Sequence, residues 1–506
     1  MTTATTTTGN AARPVPASIP ARHFDVLIVG AGISGVGAGC HLKMQCPGTS
    51  FVILESMATF GGTWTTHRYP GIRSDSDLYT FGYRFKPWTG PPIATAAEIL
   101  AYMGEVIDEY GLEPHIRYRH RIHSASWSSE DNRWTVEATD DATGARAVFT
   151  ASFLWMCQGY YRHSKGYTPE WKDVDKYRGT IVHPQTWPED IDLKGKRVLV
   201  IGSGATAATL VPAIAGDCAH VTMLQRSPTY FIPAPNENEL ANTLREIDVD
   251  PAIVHDIVRR KLLHDQKVLT GRCLTEPEVV KKELLDGVRA LLPPGYDVDR
   301  HFTPSYRPWR QRVAYVPNGD LFQGIVAGKA DVVTDEIDRF TEKGLLLKSG
   351  RELEADVIVT ATGFDLCVLG DIAFSVDGRA VDFARTVTYR GMMFTGVPNL
   401  VWVFGYFRAS WTLRVDLLGD FVCRLLRHMK EKGAHRVTPR LRPEDEGLPL
   451  LPWMDPDNFN PNYLMRSMDL MPRRIDRPEW QHTQDYWKEK EDLPAVDLDA
   501  PEFRYG

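Results

Sequence analysis

Nowhere in this sequence do apolar residues run on for the roughly 18 positions that a membrane-crossing helix requires. The longest candidate, Val397–Phe407, is short and carries Pro398 and Asn399. A basic excess is missing too. With 58 Lys and Arg against 65 Asp and Glu, the net charge is −7, which argues against a nucleic-acid platform. The seven cysteines are too scattered for a metal-ligand pair or a disulfide framework. At the N-terminus, Thr, Ala and Pro stand where a signal peptide would place basic and then apolar residues. These absences predict a reducing cytoplasmic setting, no metal centre, no nucleic-acid partner and no transmembrane segment.

What is there suits two or three globular domains: 506 residues, 43% hydrophobic and 24% charged. Residues 1–22 are polar and repetitive and are expected to form a disordered tail. Phe24–Val29 reads as a buried parallel strand that runs into Gly30-Ala31-Gly32-Ile33-Ser34-Gly35. An apolar helix through Leu42 and a strand over 51–54 follow, and Glu55 lies 20 residues beyond Gly35. Together these make a dinucleotide fingerprint. Gly30 forms the tight turn, Gly32 lets the backbone approach a pyrophosphate, and Gly35 allows close helix packing. The helix N-terminus faces the phosphates, and Glu55 accepts hydrogen bonds from ribose hydroxyls.

Thr95 to Tyr110 is predicted as a structural helix, opened by a Thr95/Glu98 capping box and stopped by Gly111. Residues 116–150 alternate like antiparallel strands, with turn signals between them. The glycine motif then recurs. Strand Lys196–Ile201 leads into Gly202-Ser203-Gly204-Ala205-Thr206-Ala207, where Ala207 stands for the third glycine and is small enough to serve. The partner strand, Val221–Leu224, ends in Gln225-Arg226-Ser227. An acidic residue there would repel a 2′-phosphate, whereas Arg226 offers it a planar fork of donors. An exposed arginine with no such role is the duller alternative; the strand-end position favours an NADP-type site. From Asn236 to about Pro294 the chain reads as an inserted helical subdomain. The strand Ala355–Val359 exits sharply at Ala361-Thr362-Gly363-Phe364, and Ser410–His428 is a late amphipathic helix. The segment from Arg440, rich in Pro, Trp and charge, is expected to wrap the surface.

Between the two glycine motifs lies Tyr177–Pro188, a stretch that reads as a linker holding two nucleotide sites within electron-transfer reach. With Gly179, His183, Trp187 and Pro188 it resembles the aromatic-x-Gly-x-x-x-His-x-x-x-Trp-Pro fingerprint of the Baeyer–Villiger monooxygenases, with Tyr177 where Phe is usual. These enzymes belong to the class B flavoprotein monooxygenases. A second motif of that family, Gly-Gly-x-Trp-x-x-x-x-Tyr-Pro-Gly-x-x-x-Asp, is met by Gly61, Gly62, Trp64, Tyr69, Pro70, Gly71 and Asp75. The Ala361–Gly363 exit also agrees. Segments 295–298, 308–312 and 463–472 are most similar to the branch that activates thioamide prodrugs such as ethionamide.

The resemblance implies an α/β fold of two Rossmann-like dinucleotide-binding domains, one for FAD and one for NADPH, with an inserted helical subdomain. The FAD-binding domain would comprise residues 23–163 and 361–482, and the NADP-binding domain 164–235 and 301–360. Residues 236–300 would be the insertion, and 1–22 and 483–506 the tails. Gly30, Gly32, Gly35, Glu55, Gly62, Trp64 and Asp75 fall to FAD; Gly202, Gly204, Thr206, Ala207, Arg226 and Ser227 fall to NADPH. The family chemistry passes hydride from NADPH to the flavin, which traps O2 as a C4a-peroxyflavin. A ketone then becomes an ester or lactone, and sulfides are oxidised as well. Arg312 matches the family's active-site arginine and Asp75 the carboxylate that orients it, although Arg310 lies only two positions away. Gly179, His183 and Trp187 are expected to couple NADPH binding to domain geometry. Some relatives carry a lysine just before the arginine; here it is Gln311, which leaves Arg226 as the main discriminator against NADH.

Three other functions compete. A flavin monooxygenase acting mainly on S or N heteroatoms is the nearest, but its fingerprint usually ends in Phe or Tyr rather than Trp187. A disulfide reductase would need a close cysteine pair beside the flavin, and Trp64 stands there instead, while Cys40 and Cys46 look structural. A flavin-binding redox sensor without turnover is the third. The expected partner is a small ketone or sulfide, with the protein a monomer or homodimer.

Overall fold

The computed structural model describes residues 22–506, and they fold around a mixed nine-stranded sheet and an all-parallel five-stranded sheet. The expected disordered tail falls outside the described residues except for Arg22, which already belongs to the first strand.

The first sheet is built on β1 (Arg22–Val29), flanked in parallel by β2 (Phe51–Leu54) and later by β6 (Ala145–Met156). Every residue of β2 is buried, as expected where helices or loops cover both faces of a parallel sheet. Helix α1 (Ile33–Gln45) crosses between β1 and β2. Short helices α2 (Thr63–Thr66) and α3 (Leu78–Phe81) lead to α4 (Ala96–Glu109), which carries the predicted capping box: Glu98 N donates to Thr95 Oγ1. The two-residue strand β3 (Ile116–Arg117) pairs with β2. From there β4 (His120–Ser128) and β5 (Arg133–Asp140) form an antiparallel run that ends in β6.

A second sheet has five strands, all parallel. In spatial order it runs Ala330–Thr334, His220–Gln225, Arg197–Ile201, Val357–Thr360 and Thr180–Val182. In chain order these are β7 (Thr180–Val182), β8 (Arg197–Ile201), β9 (His220–Gln225), β12 (Ala330–Thr334) and β16 (Val357–Thr360); β10 (Tyr230–Ala234) and β11 (Val313–Pro317) pair separately. Helices α5 (Ala205–Ile214) and α10 (Asp320–Val326) cover one face. The small sheet of β13 (Ile337–Phe340), β14 (Gly344–Leu347) and β15 (Glu352–Glu354) covers the other.

This arrangement corrects three expectations. Tyr177–Pro188, expected as a linker, is built into the second sheet. It supplies the edge strand β7, and the Tyr177 hydroxyl donates to Ala355 O at 3.0 Å. The helical stretch has no core of its own. Helices α6 (Glu239–Glu246) and α7 (Pro251–Thr275) send Ala241, Val254 and Val258 into the first core; α8 (Pro277–Arg289) and α9 (Val298–His301) send Val288 and Val298 into the second. Amphipathic helices hide their apolar stripe wherever a core is available.

The third correction concerns the segment from Arg440, which enters the core of the molecule. Trp453 and Trp480 are fully buried, and Phe503–Tyr505 pairs with Val437–Pro439. Helix α11 (Trp411–Lys432), stopped by Gly433 at φ 62°, carries the buried Arg414, whose Nε donates to Glu489 Oε2 at 2.9 Å. Glu489 lies on α13 (Tyr486–Asp492), beyond the short helix α12 (Asn462–Arg466), and also accepts from the Tyr406 hydroxyl at 2.6 Å. Among the described residues, no helix is long and apolar enough to cross a membrane.

Candidate active site

Both glycine turns open onto one cleft of about 1070 Å³. At the first turn Gly30 has φ +96°, and a Cβ there would lie 2.9 Å from Cys157 O, on the exit of β6. A Cβ on Gly35 would overlap Gly30 O, so α1 packs against the turn as closely as the fingerprint requires. Gly32 caps α1 without any side-chain hydrogen bond, which leaves first-turn N–H groups free for a ligand. Glu55 is buried; its Oε2 accepts from Ala31 N at 2.8 Å and its Oε1 from Met57 N at 2.7 Å. Gly62, at φ +56°, brings its backbone against Gly32, and Trp64 stands edge-on to Phe81.

The second turn repeats this design. Gly202 has φ +129°, and a Cβ there would overlap Ala361 O on the exit of β16. Gly204 caps α5 with no side-chain bond, and a Cβ on it would meet nothing within 4 Å. This is free space in front of a helix N-terminus, which fits a dinucleotide phosphate pair. Thr206, Arg226 and Ser227 line the same cleft, while Ala207 and Gly35 sit behind their turns as packing residues.

Arg312, immediately before β11, meets Asp75 from the loop between α2 and α3. Its Nη2 lies 2.8 Å from Asp75 Oδ2 and 3.0 Å from Oδ1. The neighbouring carboxylate raises the guanidinium's pKa and outweighs the opposing effect of burial, so the cation persists. Its Nε is buried with no hydrogen-bond partner among the described residues. Tyr160 and Tyr463 stand close by, and burial raises both phenol pKa values and keeps them protonated. Arg310 lies outside the cleft, 3.6 Å from the exposed Asp457, whereas Arg312 lines it.

Gly179, His183 and Trp187 do not line the cleft. A Cβ on Gly179 would lie 2.6 Å from Asp356 O, so this glycine lets β7 pack closely. His183 accepts from Gln185 N at 3.1 Å and caps a short 3₁₀ turn; burial lowers its pKa. Trp187 packs against the second core.

Several cleft residues were not singled out by the sequence. His67 is 4% exposed and pushed down to about 4 by burial, and its ring meets Tyr69, Tyr161 and Phe364 edge-on. Tyr161 stacks on Phe364 at 4.4 Å and donates to Thr63 Oγ1 at 2.7 Å. These rings join the two crossings between the sheets, Cys157–Tyr161 and Ala361–Phe364. The available signal was the likeness of the two strand exits, Cys157-Gln158-Gly159-Tyr160 and Ala361-Thr362-Gly363-Phe364.

Comparison with known proteins agrees with this fold. A family model described as flavin-binding monooxygenase-like matches residues 87–239, and one described as an NAD(P)-binding Rossmann-like domain matches residues 28–91. The FAD-containing monooxygenase EthA of Mycolicibacterium smegmatis is 47% identical over 92% of this chain and 93% of its own length. Among solved structures, an oxidised steroid monooxygenase bound to NADP shares the fold with a TM-score of 0.73 at 23% identity, covering 96% of this chain and 99% of that one. An open cyclohexanone monooxygenase structure superposes with a TM-score of 0.74 at 19% identity, covering 96% and 100%. With paired dinucleotide turns on one cleft and a relative this similar along nearly its whole length, the chain belongs to the class B, flavin-binding monooxygenase family.

Proposed function

We propose that the protein is a Baeyer–Villiger monooxygenase, which uses FAD, NADPH and O2 to insert one oxygen atom beside a ketone carbonyl and give an ester or lactone. The observation that carries this reading is the Arg312–Asp75 pair in the cleft onto which both glycine turns open.

The Gly30–Gly35 turn, Glu55, Gly62 and Trp64 would hold FAD. The Gly202–Ala207 turn, Arg226 and Ser227 would hold NADPH. Bound there, the flavin supplies hydride acceptance from NADPH and the activation of dioxygen. The chain's own contribution is electrostatic. Attack on a ketone carbonyl needs a negatively charged oxygen nucleophile, and a permanently cationic guanidinium favours that charge state. Asp75 takes two contacts from Arg312 and so fixes its orientation. Tyr160, Tyr463 and Trp411 build an aromatic wall that limits water.

Oxidation of sulfur requires an electrophilic oxygen and has less need of a fixed cation. Product analysis on matched ketone and sulfide panels, with NADPH consumption followed in parallel, therefore tests the proposal. Ester formation that depends on Arg312 supports it. S-oxide as the sole product, formed equally well by Arg312→Ala, would replace it with a heteroatom monooxygenase.

A further inference from the structure

Among the described residues, six arginines line the cleft, and four already have carboxylate partners. Arg73 pairs with Asp320, Arg121 with Asp141, Arg162 with Asp365 and Asp371, and Arg312 with Asp75. Among the described residues, Arg226 and Arg466 have no carboxylate oxygen within 4.0 Å. They come from different parts of the chain: Arg226 follows β9 of the second sheet, and Arg466 ends α12.

Arg466 has a defined seat. Its guanidinium carbon lies 3.4 Å from the centroid of the Tyr167 ring, and Nη2 donates to Phe364 O at 3.3 Å. Tyr167 is itself fixed to the exit of β16, since Tyr167 N donates to Gly363 O at 3.0 Å and Thr362 Oγ1 donates to Tyr167 O at 2.6 Å. The acidic groups nearest these two arginines make their direct contacts elsewhere, Asp365 with Arg162. Glu336 is bridged by Lys348, and Asp335 accepts from Glu336 N at 2.7 Å. Burial lowers the pKa of Arg466; Tyr167 and Asp365 oppose this, while the charge of Arg226 acts in the same direction as burial, so the two cations feel each other. An anion bound between them would relieve that repulsion.

We propose that Arg466 is a second reader of the nucleotide 2′-phosphate, reaching across from α12 to the site that Arg226 begins. The proposal rests on the NADPH reading above and deepens it. Selectivity for the phosphorylated cofactor is then shared between a residue that follows β9 and one that ends α12.

The test uses the full-length, FAD-loaded protein and two fragments that cannot deliver hydride: adenosine 2′,5′-bisphosphate and adenosine 5′-monophosphate, titrated by calorimetry. Wild type should favour the bisphosphate. Arg466→Gln should weaken the bisphosphate about tenfold and leave the monophosphate within about twofold. Arg466→Lys, which keeps the charge, should retain most of the preference, and added salt should narrow the gap between wild type and Arg466→Gln. Equal losses for both fragments would make Arg466 a clamp on Tyr167 and overturn the proposal. A wild type that prefers the bisphosphate alongside an Arg466→Gln variant that prefers it equally would also overturn it, and leave the NADPH reading intact. A wild type with no preference would remove the NADPH reading itself.

Discussion

Replacing Arg312 with alanine separates catalysis from folding. The pair it forms with Asp75 is only partly withdrawn from solvent, with side-chain exposures of 37% and 27%. Exposed pairs contribute at most about 1 kcal/mol and broken buried pairs cost about 3–5 kcal/mol, so a loss of roughly 1–2 kcal/mol in stability is expected. The expected catalytic loss is larger. Removing one preorganised charge that faces a developing anion costs on the order of 10²–10³ in rate, or about 3–4 kcal/mol. The variant should therefore purify yellow, with its flavin retained, and still be reduced by NADPH under anaerobic conditions. Its ester formation, followed by gas chromatography on a simple cyclic ketone, should fall by about two to three orders of magnitude. Arg312→Lys should lie between, because an ammonium keeps the charge but not the fork. Asp75→Asn should lose about tenfold, since the guanidinium survives without its anchor. An Arg312→Ala enzyme that makes ester at the wild-type rate would refute the reasoning, as would one whose activity falls only in step with lost flavin.

Three further expectations follow from particular contacts. Arg226→Ala should weaken NADPH about tenfold more than NADH in a binding titration, and equal losses would remove its role at the 2′-phosphate. A Cβ on Gly166 would overlap the His183 ring, so Gly166→Ala should destabilise the protein by about 1–3 kcal/mol; an unchanged melting temperature would show that the ring is free to move. His67 titrates near 6.5 when unfolded and at about 4 when folded, because burial disfavours the charged ring. The unfolded chain therefore binds the extra proton between these values, and the His67 contribution, present above pH 6.5, is lost as pH falls toward 4, on the order of 3 kcal/mol in full. Urea midpoints at pH 7.5 and pH 5 should diverge less in His67→Gln than in wild type, and parallel shifts would contradict the assignment.

What could be read in the sequence was whatever acts over short range. The strands, glycine turns and first helices of both modules carry their geometry within about 30 residues, and the Thr95/Glu98 cap within four. The pairing of Arg312 with Asp75 spans 237 positions and came from resemblance, because no local rule connects them. The segment from Arg440 was misread for the opposite reason. Its prolines and charges resemble a surface strand, and only the tertiary setting shows Trp453 and Trp480 buried and Glu489 joined to Arg414. Tyr177–Pro188 failed similarly, since a three-residue edge strand has too little periodicity to stand out from a linker. Gly166 could not be seen because its neighbour, the His183 ring, approaches only once β7 has joined the sheet.

The bond between Tyr406 and Glu489 also bears on the order in which the enzyme is assembled. Tyr406 borders the cleft, yet its hydroxyl is secured by a carboxylate that the ribosome adds long after the first glycine turn has been translated. A growing chain can shape the turn early, but Tyr406 and Arg414 gain their shared carboxylate partner only once α13 is in place. The contact that fixes Tyr406 at the edge of the cleft is thus completed only when residues some 450 positions beyond the first glycine turn have been added.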